Sequence, residues 1–233
     1  MDRITRKELK TDPFATEVQH TLEYVTGHRS QFIRYGTIVA GVAVLAAAGW
    51  FYVQHQHTVR QQKLAEVFRI SDANVGPSQS QYLLSYPTED AKDQALVKAL
   101  TDLAQSSGTE EGTIGQFMLA VHAADKGKPA EAERRLREVV DSGKGPYVSL
   151  AAVQLARIYG SEGKVADARA LLQPIIDKPT VFVSKEQAQL ALAKALAQTK
   201  PDEARKILDG LRGSQRPIIS QTAIAQEAEL AQK

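Results

Sequence analysis

The sequence contains no cysteine and has almost no net charge. Its 233 residues include 29 Lys and Arg against 27 Asp and Glu, which leaves a formal charge of +2. The absence of cysteine permits an oxidising location but does not indicate one. From residue 70 onward the sequence holds 20 Lys and Arg against 21 Asp and Glu. This near-neutral part lacks the basic excess of a nucleic-acid-binding protein, and we expect no nucleic-acid partner.

Side chains that build catalytic or metal sites are few and scattered. The sequence holds five histidines, of which only His55 and His57 stand close together. On a helix, residues two positions apart point to different sides, so this pair is poorly placed to share a metal ion. The Gly163-Lys164 pair lacks the earlier glycine of a phosphate-binding loop. No nucleophile, base and orienting group come together in the pattern, which predicts no enzyme, no catalytic residue, no cofactor and no metal site.

Long apolar runs are absent, with one exception. Residues 35–59 contain no charged residue, and their dense apolar part runs from 38 to 53. About 20 apolar residues are enough to cross a bilayer as a helix, and aromatic residues stand at both ends, as is common at membrane interfaces. A core helix and a cleaved signal peptide are the alternatives, but the 34 residues before the run are too many for a signal peptide. The pattern predicts one uncleaved transmembrane helix over residues 35–54.

Basic residues are concentrated before the predicted span. Six lie on its N-terminal side, and three lie in the twenty or so residues after it. Because the more basic short flank usually remains in the cytoplasm, we expect the tail, residues 1–34, inside the cell and the larger C-terminal part across the membrane. Apolar residues at helical spacing predict an amphipathic helix in the tail, on the cytoplasmic membrane face, with a docking helix for a cytoplasmic partner as the alternative. These residues are Phe14, Val18, Leu22 and Val25.

The segment after the span, residues 55–80, is predicted to contain a juxtamembrane helix and a linker. No helix-breaking residue occurs before position 71, so the helix of the span is expected to continue to that point. Residues 71–81 are rich in Ser, Gly and Pro, which predicts a linker. A new helix should follow, with Thr88 as its cap and an apolar stripe of Leu96, Leu100 and Leu103.

From residue 112 the sequence repeats itself with a period of 36 residues. Segments beginning at Pro129, Val165 and Pro201 align without gaps, and each is preceded by a short polar turn and another apolar helix. Three positions in each segment are separated by four and three residues, which places them on one helix face. They are Ala132, Ala168 and Ala204, then Leu136, Leu172 and Leu208, then Val139, Ile175 and Leu211. A small residue also recurs in the preceding helices, at Ala120, Ala156 and Ala193.

The repeating unit is therefore a helical hairpin, made of a helix, a tight turn and a second helix. A hairpin of this size cannot bury its apolar face alone, whereas stacked copies can. We expect an α-solenoid over residues 81–233, closed by a final capping helix that begins at Pro217. The predicted fold class is all-α, with a single N-terminal transmembrane helix followed by this repeat domain.

The 36-residue hairpin with small residues at these two places resembles tetratricopeptide repeats. The resemblance is partial, because Gln116 and Ala152 stand where Trp is usual and the usual Tyr is kept only at Tyr159. In its organisation the whole chain resembles the bacterial ancillary subunit family of the SecYEG translocon. That resemblance implies a single-pass inner-membrane protein with a periplasmic repeat domain, associated with translocon subunits and an anchored periplasmic chaperone. Related repeat domains also occur in envelope cell-division coordinators.

In tetratricopeptide repeats the concave surface is lined by fixed positions of each first helix. Alignment on the small residues places these positions on Ile114, Phe117 and Val121, then Leu150, Val153 and Arg157, then Gln187, Leu190 and Lys194. Six of the nine are apolar, and an exposed apolar face predicts a groove that binds an extended protein segment or an amphipathic helix. The alternative is that a helix of the same chain, 88–104 or 217–231, fills the groove.

Two functions fit this sequence. The first is a membrane-tethered scaffold that binds proteins near the translocon and its chaperones. The second is a structural envelope component or cell-division coordinator that acts mainly as a homo-oligomer, formed through the span or the helix after it. Some tetratricopeptide proteins hold chaperone C-termini with asparagines and lysines. Asn74 is the only asparagine in this chain, so we expect no such two-carboxylate clamp.

Overall fold

The computed structural model describes residues 29–77 and 84–232. The amphipathic helix predicted in the tail lies outside these residues. The described part is helical almost throughout, which confirms the predicted all-α fold class. It contains nine helices: α1 (Arg29–Ser71), α2 (Glu89–Ala104), α3 (Glu110–Asp125), α4 (Pro129–Ser142), α5 (Tyr147–Ser161), α6 (Val165–Asp177), α7 (Lys185–Leu196), α8 (Pro201–Arg212) and α9 (Pro217–Ala231). The chain divides between Thr58 and Val59 into two compact units.

The first unit contains the N-terminal part of α1. Side chains at positions 33–55 are all exposed, although most of them are apolar. A helix in the core of a soluble protein would be buried at such positions. The stretch Ile33–Ser71 is long and apolar enough to cross a membrane. It contains the run in which the sequence predicts the transmembrane helix.

The C-terminal part of α1 belongs to the second unit. The helix continues to Ser71, as the absence of helix breakers predicts. Val67 is fully buried in an apolar cluster with Leu100 and Leu103 of α2 and Leu119 of α3. Burial of these side chains removes apolar surface from water and fixes this end of α1 on the repeat domain.

Polar contacts hold the same part of α1. Arg60 donates from Nε to Glu111 Oε2 at 3.3 Å, and Gln61 donates from Nε2 to Glu111 Oε1 at 2.8 Å. Glu111 is only 5% exposed, and a buried carboxylate without partners would cost on the order of several kcal/mol. Lys63 also donates to the carbonyl oxygen of Asp102, at 3.3 Å. Together with the apolar cluster, these contacts hold the part of α1 after Thr58 against α2 and α3.

A short parallel strand pair lies in and beside the segment predicted as a linker. Strand β1 (Asn74–Val75) pairs with β2 (Ser85–Tyr86). The amide of Asn74 donates to the carbonyl oxygen of Leu84 at 3.1 Å, and the amide of Gly76 donates to that of Tyr86 at 2.9 Å. Strands of two residues carry no periodic pattern. The pairing therefore depends on where tertiary packing brings the two segments together.

The three predicted hairpins are present as α3–α4, α5–α6 and α7–α8. The first two turns need glycine because their backbone is left-handed, at Gly127 with φ +70° and at Gly163 with φ +75°. The third turn is one residue shorter, as the sequence shows. It closes with a hydrogen bond from the amide of Lys200 to the carbonyl oxygen of Leu196 at 2.8 Å.

The residues that recur through the repeats form the core of the second unit. All twelve recurring positions are buried, each with at most 6% of its surface exposed. Ala168, Leu172 and Leu208 are completely buried. The spacing of four and three residues therefore identified the inward face correctly. Stacking of hairpins through this face buries an apolar surface that no single hairpin could bury.

The helices at the two ends of the repeat stack, α2 and α9, begin at the residues that the sequence predicts. Thr88 caps α2, since its hydroxyl accepts a hydrogen bond from the amide of Ala91 at 3.2 Å. Helix α9 begins with Pro217, at the one helical position where a missing amide is harmless. It packs against α7 and α8, and its buried residues are Ile219, Ala223 and Leu230. The predicted capping helix is confirmed.

Candidate protein-binding groove

The first helices of the three hairpins, α3, α5 and α7, pack beside one another in sequence order. The contact between α5 and α7 is very close, because a Cβ atom added to Gly160 would lie 2.6 Å from the Cα atom of Ala195. Only glycine leaves room for such an approach. The helices that carry the predicted groove positions of the second and third repeats are therefore in direct contact.

The nine predicted groove positions lie at three depths. Ile114 and Leu190 are buried. Three apolar side chains are half-buried: Phe117, Leu150 and Val153. Four side chains are exposed: Val121, Arg157, Gln187 and Lys194. The buried and half-buried positions are therefore all apolar, and the exposed ones are apolar in the first repeat and polar in the next two.

An aromatic row, made of Phe117, Tyr147 and Phe182, crosses from α3 to the loop before α7. The ring centroids of Phe117 and Tyr147 are 5.4 Å apart, and those of Tyr147 and Phe182 are 5.2 Å apart, both edge to face. Aromatic rings in this arrangement attract one another beyond the effect of their buried area. Phe182 is 41% exposed, and Val181 beside it is 90% exposed. The row therefore presents apolar surface to solvent.

Three residues of this surface, Tyr147, Val181 and Phe182, were not identified from the sequence. Tyr147 is the first residue of α5, and Val181 and Phe182 lie in the loop between α6 and α7. None of them occupies a fixed position of a first helix, so alignment of the repeats does not find them. The available signal is an aromatic residue at the start of α5 and another shortly before α7, in a chain with only 6% aromatic residues.

The two helices considered as occupants of the groove have packing partners of their own. Helix α2 buries Leu100 and Leu103 in a cluster with Val67 of α1. Helix α9 packs along α7 and α8. Within the described residues, Val121 and Val181 keep 38% and 90% of their surface exposed. Val121, one of the predicted groove positions, is therefore exposed to solvent, whereas Lys194 lines a small cavity with Gln226 and Glu229 of α9.

A separate cleft of about 600 Å³ lies between α2, α3 and α4 and collects ionisable side chains. His122 Nε2 lies 2.7 Å from Asp93 Oδ1, and Lys126 Nζ lies 3.1 Å from the same oxygen. The hydrogen bond from His122 holds the pKa of the Asp93 carboxyl below its ordinary value, and Lys126 acts in the same direction. No hydroxyl or thiol lines this cleft among the described residues, so the pair has no such nucleophile to activate. The cluster instead ties α2 to α3.

Metal binding has no support in the described ranges, where no group of three or more His, Cys, Asp or Glu side chains could hold an ion. His55 and His57 both lie on α1, as the sequence predicts.

A family model described as a tetratricopeptide repeat-like domain matches residues 29–206. The match covers well over half of the chain, from the start of α1 into α8, and includes every predicted groove position. No curated protein and no solved structure matches the chain. The family match confirms the resemblance of the hairpins to tetratricopeptide repeats.

Proposed function

Because the chain belongs to the tetratricopeptide repeat-like domain family, we propose that it is a membrane-tethered protein-binding scaffold. Stacked helical repeats form extended concave surfaces that bind other proteins. The observation that carries the proposal is the aromatic row, together with exposed Val121 on α3 and exposed Val181 in the loop before α7. The proposed groove consists of the nine predicted positions and the three residues added by the structure.

A groove of this composition binds by removing apolar surface from water. An extended segment or an amphipathic helix would place its apolar side chains on the aromatic row. Phe117, Leu150 and Val153 are packed against the core on their inner side. Little side-chain freedom is then lost on binding, which favours affinity. Apolar contact of this kind responds weakly to salt, because salt screens charges rather than apolar surface.

We expect Val121→Asp combined with Val181→Asp to abolish partner capture and leave the fold intact. Both positions are exposed, at 38% and 90%. The new carboxylates are therefore solvated in the free protein, but they would be desolvated and unpaired against the apolar side chains of a partner. The measurement is photocrosslinking in cells from a photoreactive phenylalanine analogue at Phe182, with the crosslinked proteins identified by mass spectrometry.

The matched control is Val75→Asp combined with Ile224→Asp. These positions are 38% and 49% exposed and lie on β1 and α9, so the same charge is added away from the groove. The control should keep the crosslinks. Crosslinks that survive in the groove variant would show that binding occurs elsewhere. Crosslinks only to further copies of this chain would favour the structural, self-associating function instead.

The partner proteins are proposed to be translocon subunits and an anchored periplasmic chaperone. The support for this step is the organisation of the whole chain, which resembles that of the ancillary translocon subunits. Recovery of such proteins from the crosslink at Phe182 would support it. Recovery of unrelated envelope proteins would contradict this choice of partners and leave the scaffold function standing.

The proposed location is the cell inner membrane, with the tail in the cytoplasm and the repeat domain in the periplasm. We expect protease added to intact spheroplasts to digest the part after residue 70 and to leave the tail protected. The reason is the greater number of basic residues before the span than after it. Epitope tags at the N-terminus and the C-terminus, followed by immunoblotting, show whether the tail is protected and whether the part after residue 70 is digested. Digestion of the N-terminal tag with the C-terminal tag intact would contradict the proposed orientation and indicate the opposite one.

A further inference from the structure

Two cations stand at equivalent positions of neighbouring first helices, Arg157 on α5 and Lys194 on α7. Both side chains are exposed. Arg157 lies about one helical turn before Gly160, and Lys194 is adjacent to Ala195, so both flank the closest approach of the two helices. Because the positions are equivalent in the repeat, both side chains belong to the rim of the same groove.

Neither cation has a carboxylate partner among the residues that the structure describes. Arg157 donates from Nη1 to Gln154 Oε1, at 3.5 Å. Lys194 lines a small cavity together with Glu229 of α9, and the two side chains form no ion pair there. The rim therefore carries two positive charges without an ion pair among the described residues, and Glu229 borders the cavity at Lys194.

Several arginines on the second helices are paired within the domain. Arg137 contacts a carboxylate on its own helix, Arg169 contacts one on the next second helix, and Arg212 contacts one on α9. The pairs are Arg137–Glu133, Arg169–Glu203 and Arg212–Glu227. In a domain with nearly equal numbers of acidic and basic residues, these three arginines are paired with carboxylates, whereas Arg157 and Lys194 are exposed and have no such pair among the described residues.

We infer that the groove takes an amphipathic segment with an acidic side chain about 15 Å from its apolar anchors along the groove. The anchors lie on the aromatic row, and the acidic side chain lies against Arg157 and Lys194. This inference rests on the proposed protein-binding function and adds the chemistry of the partner. It differs from the two-carboxylate clamp of other tetratricopeptide proteins, because it needs an acidic side chain and no free C-terminus.

A carboxylate is the group that suits this place best. A carboxylate is attracted to each of these cations, and cations at equivalent positions of successive first helices both add to the attraction. The guanidinium of Arg157 can bind a carboxylate through two parallel hydrogen bonds. An apolar partner that covers the groove also excludes water, which strengthens the attraction compared with an open surface.

Selection of an unbiased peptide library on the full chain tests this chemistry. The chain is held in nanodiscs of zwitterionic lipid, so that anionic headgroups do not occupy the cations. We expect the selected peptides to be enriched in aromatic and aliphatic residues and also in Asp and Glu, relative to the starting library. On the Arg157→Gln, Lys194→Gln variant, the acidic enrichment should disappear and the apolar enrichment should remain.

The matched control for this selection is Arg134→Gln combined with Lys206→Gln. These cations are also exposed and lie on α4 and α8. The control variant loses the same charge, so it should keep both enrichments. A circular dichroism spectrum of each variant checks that the helices are intact.

A selected peptide should bind the wild-type chain about 2- to 10-fold more tightly than a copy in which each acidic residue is replaced by its amide. Fluorescence anisotropy measures the two dissociation constants. Raising the salt from about 0.15 M to about 1 M should remove most of the difference between them. Amidation of the C-terminus of the peptide should change neither constant.

The outcomes separate this inference from the function on which it rests. Apolar peptides without acidic enrichment would overturn the inference and leave the proposed groove standing. Acidic enrichment that persists on the Arg157→Gln, Lys194→Gln variant would also overturn it, because the acidic residues would then be recognised elsewhere. Failure to select any peptide on the wild-type chain would contradict the groove itself and the inference with it.

Discussion

Leu172→Ala is expected to lower the free energy of unfolding of the repeat domain by about 2–5 kcal/mol. Leu172 is completely buried in α6, within the core cluster that joins the hairpins. Removal of its side-chain atoms leaves a cavity, and helices held by neighbours on both sides cannot move far enough to close it. Denaturant unfolding of the full chain in detergent micelles, followed by circular dichroism, measures the loss.

The control for this prediction is Leu171→Ala, the same change one residue earlier. Leu171 is half-buried, so fewer of its contacts are lost and water can reach the space that the side chain leaves. We expect a clearly smaller loss of stability. Equal losses at the two positions would contradict the inward face that the recurring alanine and leucine positions define.

Gly160→Ala is expected to lower the free energy of unfolding by about 1–3 kcal/mol. The new methyl carbon would lie 2.6 Å from Ala195 Cα and 2.7 Å from Ala195 Cβ, so α5 and α7 must separate. Separation changes the spacing of the two helices that carry Arg157 and Lys194, and we therefore also expect weaker binding of an acidic peptide. Denaturant unfolding and fluorescence anisotropy on the same variant measure the two effects.

Gly210→Ala is the matched control for this overpacking. Gly210 also lies within a helix, α8, but no heavy atom lies within 4 Å of an added Cβ. Here only the helix propensity changes, and alanine should raise the stability by about 0.5–1 kcal/mol. A stability gain at Gly160, similar to the gain at Gly210, would show that the contact between α5 and α7 is not tight.

Much of the fold could be predicted because its determinants are local and repeated. The hairpins follow from three aligned segments and their turns, and the caps at Thr88 and Pro217 depend on a few neighbouring residues. The burial of Ala168 and its equivalents follows from helical periodicity alone. Repetition also gives each local signal three independent copies, so a single substitution does not obscure the pattern.

The candidate site could be predicted only in part. Positions on the first helices follow from the repeat register, and the structure places them at graded depths from Ile114 to Lys194. The aromatic row could not be predicted from that register, because Tyr147 and Phe182 come from a helix end and an irregular loop. Residues outside the aligned positions have no counterpart in the other repeats, so the repeat pattern does not predict which surface they join.

The sequence by itself determined the all-α class, the uncharged run of α1, the three hairpins and their inward faces. Each of these depends on spacing along the chain, which helical geometry converts directly into a face. Only the tertiary structure decided that Val67 and Arg60 pack on the repeat domain, and that Gly160 of α5 lies against Ala195 of α7. The physical reason is that these contacts join residues far apart in sequence. Their distances depend on how all the helices pack together, and no local pattern encodes that packing.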